Sequence, residues 1–212
     1  MKITSTNIGK STTVAWNGKQ VQTGIFKYPI SRSLDLEKEV VAGDSIADRN
    51  VHGGTNKACY LFSKEQYPYW KHLYPDLDWD WGMFGENLTI EGMDESQIRI
   101  GNIYKIGTAL VQVSLPREPC YKLGIRFKDQ GILKQFIDHG HPGAYVRILN
   151  EGSVQKGDKL ILETESKNTL TVAQFYTLLY AKEKNIDLVK IAVQNTALPR
   201  YKRERLKKYL AP

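Results

Sequence analysis

The sequence predicts a mainly β fold with helices, of the barrel or sandwich class, with a helical extension at its C-terminus. Short runs of alternating apolar and polar residues recur before residue 165, and turn-forming residues separate them. After residue 165 the apolar residues instead repeat at helical spacing. A chain of 212 residues can bury the core of one main domain with an addition. We place these parts at residues 1–165 and 166–212.

The clearest strand signal is a hairpin in residues 14–26. Asn17-Gly18 lies there between two extended runs, and this pair favours the tight turn that joins two antiparallel strands. Further strands are expected at residues 97–106, 109–115, 144–149 and 159–163.

Two helices are expected within the β-rich part, at residues 63–74 and 130–138. Ser63 fits the N-cap of the first, and Pro68 marks a boundary or distortion because proline lacks a backbone donor. Three helices are expected in the extension, at residues 171–184, 188–194 and 200–210. Their apolar residues predict a packing surface.

Composition narrows the class of protein. Two cysteines, Cys59 and Cys120, are too few for a secreted disulfide scaffold or for a four-cysteine iron–sulfur cluster, and they fit a reducing compartment. The first residues lack an apolar signal segment, and no run approaches the roughly 18 apolar residues of a membrane span. We therefore expect a cytoplasmic protein without membrane attachment.

The net charge of +7 is concentrated at one end of the chain. Residues 200–212 contain six basic residues and one acid, Glu204, so they carry +5 and the rest of the chain +2. No nucleic-acid-binding motif accompanies this charge, so nucleic acid is not the expected partner. A basic terminal helix is more commonly a solvated face, but contact with an acidic protein stays an open interpretation.

Cys120 lies in the segment Pro116-Arg117-Glu118-Pro119-Cys120-Tyr121-Lys122-Leu123, directly after a predicted strand. The prolines stiffen the segment, and the flanking cations favour the thiolate, which attacks electrophiles or binds soft metals. Cys59 instead lies in an apolar run at residues 58–62, which predicts a buried thiol.

Two further segments combine glycine with polar residues. Residues 47–58 contain His52, Gly53, Gly54 and Lys57, and glycines without Cβ let backbone amides approach an anion that a lysine can neutralise. Residues 84–89 read Phe-Gly-Glu-Asn-Leu-Thr and place Asn87 near a glycine. Either segment alone is weak evidence, since paired glycines commonly mark a turn and a single histidine is commonly structural.

Together these segments resemble the MOSC-domain family, named after the C-terminus of molybdenum cofactor sulfurase, and most closely its YiiM-like branch. The similar segments occur in one order along the chain, at residues 23–27, 47–57, 84–89 and 116–123. Residues 65–70 and the helical C-terminus are also similar to that branch. The resemblance implies a MOSC-type β-barrel with a three-helix extension that binds a molybdenum pterin cofactor.

The resemblance implies that Cys120 is the protein ligand to molybdenum, and thiolate is a soft ligand that suits this metal. Cys120, Arg117 and His52 are the candidate catalytic residues. The candidates for holding the cofactor are Lys27, His52, Gly53, Gly54, Lys57, Asn87, Arg117, Cys120 and Lys122.

The implied activity is reduction of N-hydroxylated compounds, such as hydroxylaminopurine-type bases, to amines. Because the chain has no cluster motif and no glycine-rich fingerprint for a flavin or nicotinamide, we expect electrons from a separate reductase, a flavoprotein. Two alternatives stay open. One is a non-catalytic carrier of the cofactor or of sulfur on Cys120, and the other is a cysteine hydrolase with His52 as base.

Overall fold

The computed structural model describes residues 1–45 and 54–210, and a mixed eight-stranded sheet lies at its centre. The strands are β1 (Lys2–Ile8), β2 (Thr12–Trp16), β3 (Lys19–Thr23), β4 (Tyr28–Pro29), β5 (Leu34–Leu36), β6 (Cys59–Ser63), β7 (Leu88–Glu91), β8 (Ile103–Ile106), β9 (Ala109–Pro116), β10 (Ala144–Asn150), β11 (Gly152–Val154) and β12 (Leu160–Thr164). The helices of the described residues are α1 (Tyr67–Leu73), α2 (Tyr121–Phe127), α3 (Ile132–His139), α4 (Val172–Tyr180), α5 (Ile186–Gln194) and α6 (Arg200–Lys207).

The central sheet has the strand order β12-β8-β9-β10-β6-β7-β1-β4. Its neighbouring strands are antiparallel, except that β6 and β7 are parallel. Two smaller antiparallel pairs, β2–β3 and β5–β11, accompany it. The predicted mainly β fold with helices is therefore confirmed.

The predicted barrel is not confirmed, because the sheet is not closed into one. β4 pairs with only the last residues of β1, at Asn7 and Ile8. The chain before β12 reaches the start of β1 through a few backbone hydrogen bonds, such as Ile3 N to Asp158 O at 2.8 Å. A single isolated bridge joins Lys2 and Lys159 there. The two ends of the sheet thus approach each other without forming a continuous ladder.

The hairpin prediction is confirmed by β2 and β3. Asn17 and Gly18 have φ angles of 49° and 73°, the positive values that a two-residue hairpin turn requires. The strand prediction at residues 97–106 is wrong in its first half. The strand starts only at Ile103, because the preceding residues turn and bury Ile98 and Ile100 in the core.

The predicted helices exist, with shifted ends. α1 begins at Tyr67, and Pro68 lies in its first turn, where the missing N–H has no helical partner to lose. α4 begins after Thr171, whose hydroxyl accepts a hydrogen bond from Gln174 N, while the Gln174 side chain accepts one from Thr171 N. This capping box fixes the start of the first C-terminal helix. Helix α2 was not predicted.

The core has two parts. The larger one joins the sheet to the C-terminal helices, since Val113 and Val146 share it with Phe175 and Val189. The smaller one is aromatic and includes Phe62, Trp70, Phe84, Phe127 and Phe136. The division at residue 165 stays a prediction. None of the described helices is long and apolar enough to cross a membrane.

Candidate functional site

One cavity brings together six of the residues predicted to hold a cofactor: Lys27, Lys57, Asn87, Arg117, Cys120 and Lys122. They come from distant parts of the chain, so the fold makes the cluster. Gly54 does not line the cavity. It begins the short turn Thr55–Lys57 and accepts a hydrogen bond from Lys57 N at 2.8 Å. His52 and Gly53 lie outside the described residues, as does the Ala47-Asp48 part of that segment.

Cys120 lies where the chain passes from a strand into a helix. Strand β9 ends at Pro116, and Cys120 occupies the extended N-cap position of α2, with φ −131° and ψ 167°. Its thiol is half-buried at the cavity wall. The sequence predicts the thiol on an ordered loop beyond a strand. The loop is there, but it is short, because α2 begins at the residue after Cys120.

Cys59 differs from Cys120 in its surroundings. It is fully buried in β6, and burial raises the pKa of its thiol well above the ordinary value. The expected burial of Cys59 is therefore confirmed.

Arg117 and Lys122 are buried cations on either side of Cys120, only 5% and 9% exposed. The Arg117 guanidinium donates to Phe84 O and lies 4.9 Å from the centre of the Tyr60 ring. Within residues 1–45 and 54–210, no carboxylate forms an ion pair with either cation. Burying a charge without a counter-ion costs roughly several kcal/mol. This part of the cavity wall is therefore suited to an anionic ligand.

Lys27 has a different electrostatic role, because its ammonium forms an ion pair with Asp44. Burial lowers the pKa of Lys27, and the nearby Asp44 carboxylate opposes that change. Asp44 also accepts hydrogen bonds from Gly9 N and from Asn87 Nδ2, both at 2.9 Å. Lys27 therefore neutralises Asp44 and supplies the cavity with little net charge. The sequence did not indicate Asp44, which stands in no recognisable motif.

Asn87 is held by protein partners on both sides of its amide. Its Oδ1 accepts from Tyr60 N at 3.1 Å, while its Nδ2 donates to Asp44. These bonds join β6 to the loop before β7 and fix the cavity wall. The predicted hydrogen bond from Asn87 to a cofactor or substrate stays a prediction.

The loop at residues 82–87 is held by the buried carboxylate of Glu86. It accepts from Gly82 N at 2.9 Å and Phe84 N at 3.1 Å, and also from the Tyr67 hydroxyl. Burial raises the pKa of Glu86, although these donors oppose the change. Gly85, with φ +74°, then passes so close to Arg117 that a Cβ there would lie 3.4 Å from Nη1.

Two tyrosines form an aromatic wall that the sequence did not indicate as part of the site. The rings of Tyr60 and Tyr145 are 5.1 Å apart, and the Tyr60 hydroxyl donates to Pro142 O at 2.7 Å. Lys57 Nζ lies 5.8 Å from the centre of the Tyr145 ring. Burial lowers the pKa of Lys57, and the Glu118 carboxylate opposes this. Aromatic residues inside strands resemble ordinary core, which is why they gave no signal.

His139 is the last residue of α3 and His141 lies two residues beyond it, and neither lines the cavity. His139 stacks on the Tyr69 ring at 4.0 Å, and His141 Nδ1 lies 3.1 Å from Glu95 Oε2.

The residues of the cavity fit an anionic cofactor that carries a soft metal. A single half-buried thiol offers one soft ligand. Arg117 and Lys122, which have no carboxylate partner among the described residues, offer donors and positive charge for phosphate oxygens, together with Lys57.

Comparison with known proteins identifies the family. The family model for the MOSC domain matches residues 48–161, which is more than half of the chain. The chain belongs to the MOSC-domain family. The matched range supplies Lys57, Asn87, Arg117, Cys120 and Lys122, whereas the Lys27–Asp44 pair precedes it.

Relatives extend the MOSC-domain match over most of the chain. This chain is 34% identical to the uncharacterized protein YflK of Bacillus subtilis, over 92% of this chain and 88% of YflK. It is 33% identical, over 81% of its length, to a protein of Gibberella moniliformis named Reductase, but spans only 31% of that protein.

A solved structure shows the same fold. The crystal structure of YiiM from Geobacillus stearothermophilus is similar with a TM-score of 0.82 and 31% identity, over 99% of both chains. The predicted resemblance to the YiiM-like branch is thereby confirmed.

Proposed function

We propose that this protein is a molybdenum-cofactor-dependent reductase that converts N-hydroxylated compounds, such as hydroxylaminopurine-type bases, to amines. The main support is a pair of buried cations, Arg117 and Lys122, without a carboxylate partner among the described residues, beside the Cys120 thiol. This combination suits an anion that brings a soft metal with it. A relative named Reductase agrees with a redox role.

The residues of the cavity divide the work of binding. Cys120 would hold the metal through its sulfur, while Arg117, Lys122 and Lys57 would hold the phosphate of the pterin. When bound, the cofactor would supply a metal that can change its oxidation state by two electrons. Asp44 and Lys27 keep Asn87 and the strand ends in place.

The reaction breaks the N–O bond of R–NHOH and consumes two electrons and two protons to give R–NH2 and water. Cations at the cavity wall stabilise the negative charge that develops on the departing oxygen. Tyr60 and Tyr145 limit the access of water from one side. His52 remains a candidate catalytic residue outside the described part of the chain.

The deciding experiment is to produce the protein in a host that makes the cofactor. We expect molybdenum and pterin in stoichiometric amounts, and turnover of 6-hydroxylaminopurine with reduced methyl viologen as electron source. Bound cofactor without turnover of this base or of benzamidoxime would favour the carrier. Hydrolytic activity that needs no metal and disappears after thiol alkylation would favour the cysteine hydrolase.

A further inference from the structure

A second groove lies between the C-terminal helices, and we call it the C-terminal groove. Its floor is apolar and consists of Leu178, Leu179 and Leu206. The aromatic rings of Tyr180 and Tyr209 flank it, each side chain 37% exposed. Leu178 and Leu206 are themselves buried, so the exposed apolar surface of the groove is mainly that of the two tyrosine rings. Exposed aromatic rings are typical of a place where another protein packs.

The rim of the C-terminal groove is cationic. Arg205 and Lys208 are exposed there, and neither forms an ion pair with a carboxylate within the described residues. Lys184 adds a third charge while its ammonium donates to Leu178 O at 2.8 Å and caps the end of α4. By contrast, Lys207 pairs with Glu204 at 2.9 Å and does not line the groove. Arg205 and Lys208 are thus the exposed cations at the groove that have no carboxylate partner among the described residues.

Glu118 connects this groove with the candidate active site. Its side chain lines both cavities, and it is two residues from Cys120. Its carboxylate forms an ion pair with Lys202, whose side chain is 8% exposed. A molecule seated in the groove would therefore contact the same short segment that carries the thiol.

We propose that the C-terminal groove is the docking surface for an acidic segment of the electron-donating flavoprotein. This inference rests on the proposed function and names where its partner binds. Acidic side chains would pair with Arg205 and Lys208, and apolar ones would pack against the exposed rings of Tyr180 and Tyr209. The partner's reduced flavin gives up two electrons and two protons and becomes oxidised, which balances cleavage of the N–O bond and release of water.

The test compares two electron sources in the cofactor-loaded protein. An acidic flavodoxin needs a docking surface, whereas reduced methyl viologen does not. In Arg205→Gln/Lys208→Gln we expect flavodoxin-driven turnover at low salt to fall about tenfold and to depend less on salt, because electrostatic steering is lost. Methyl viologen-driven turnover should stay unchanged. Binding of labelled flavodoxin to the cofactor-free protein, followed by fluorescence anisotropy, should weaken in parallel.

The matched control is Lys190→Gln/Lys207→Gln, which removes the same charge from residues paired with Asp187 and Glu204 outside the groove. It should behave like the parent. Equal loss in both double variants, or in neither, would overturn the docking site. Duplex DNA binding that requires Arg205 and Lys208, with flavodoxin binding unaffected, would also overturn it. Absence of turnover even with methyl viologen would instead count against the proposed function, while anisotropy would still test the groove.

Discussion

Lys27 and Asp44 form an ion pair at the inner wall of the cavity, with side chains only 8% and 3% exposed. The same carboxylate holds Gly9 N and Asn87 Nδ2 at 2.9 Å, so one acid joins three segments of the chain. Such a pair is costly to break from one side, because the remaining charge stays buried.

The first prediction concerns this ion pair. Asp44→Asn should destabilise the protein by about 3–5 kcal/mol, since it leaves the Lys27 ammonium buried without a counter-ion. Urea denaturation measures this loss. The double variant Lys27→Met/Asp44→Asn should recover part of it, because the uncompensated charge is gone. Equal stability of Asp44→Asn and the parent would contradict the structural role of Asp44.

The second prediction concerns the two thiols. Cys120→Ser should lower reductase activity about 100-fold or more and weaken metal retention, because a hydroxyl is a poor ligand for a soft metal. Circular dichroism should show an intact fold. Cys59→Ala is the matched control, since Cys59 is buried outside the cavity lining. A Cys120→Ser protein with the reductase activity of the parent would contradict the assigned ligand.

The third prediction concerns Gly85, where backbone conformation and close approach act together. A Cβ at Gly85 would lie 2.7 Å from Ile25 Cδ1, at a φ of +74°. Gly18 has nearly the same φ, +73°, but an added Cβ there meets nothing within 4 Å. Gly18→Ala should therefore cost about 1 kcal/mol from backbone strain alone, and Gly85→Ala at least as much, because the end of the Ile25 side chain must also move aside. Gly85→Ala should also weaken cofactor retention through Arg117. Thermal denaturation and metal content of both variants provide the comparison.

The fourth prediction is a pH dependence of stability from His141. Its hydrogen bond to Glu95 raises its pKa above 6.5. The stabilisation is therefore complete below the unfolded pKa and disappears as the pH rises through the folded pKa. The unfolding free energy of the parent minus that of His141→Gln should be larger at about pH 6 than at about pH 8.5. The difference should stay below about 1 kcal/mol, because the side chain is partly exposed and screened.

The neighbouring histidine, His139, should give a pH dependence of stability with the opposite sign. Burial lowers the pKa of His139, so its protonation opposes folding and this penalty disappears as the pH rises. The parent minus His139→Gln difference should therefore increase with pH over the same range. Parallel slopes for the two variants, measured by urea denaturation, would contradict the two environments.

Local chemistry in the sequence determined several elements of the fold. Asn17-Gly18 predicts the hairpin because few residue pairs accept positive φ at both positions. The apolar residues that follow Thr171 at helical spacing predict α4. The segment around Cys120 indicated the thiol and its cations because prolines, arginine and lysine stand side by side. The family resemblance followed from such segments in order.

Only the tertiary structure decided which of these residues meet and which charges are unpaired. Asp44 neutralises Lys27 although the two residues are 17 positions apart, and no local sequence pattern indicates this pair. Arg117 and Lys122, in contrast, have no such carboxylate among the described residues. Tyr60 and Tyr145 join the site through pairing of β6 with β10, although each resembles an ordinary core residue in sequence. The open sheet likewise depends on how far β4 and the chain before β12 extend along β1. Burial and charge compensation are properties of the packed chain, because they depend on contacts between segments far apart in sequence.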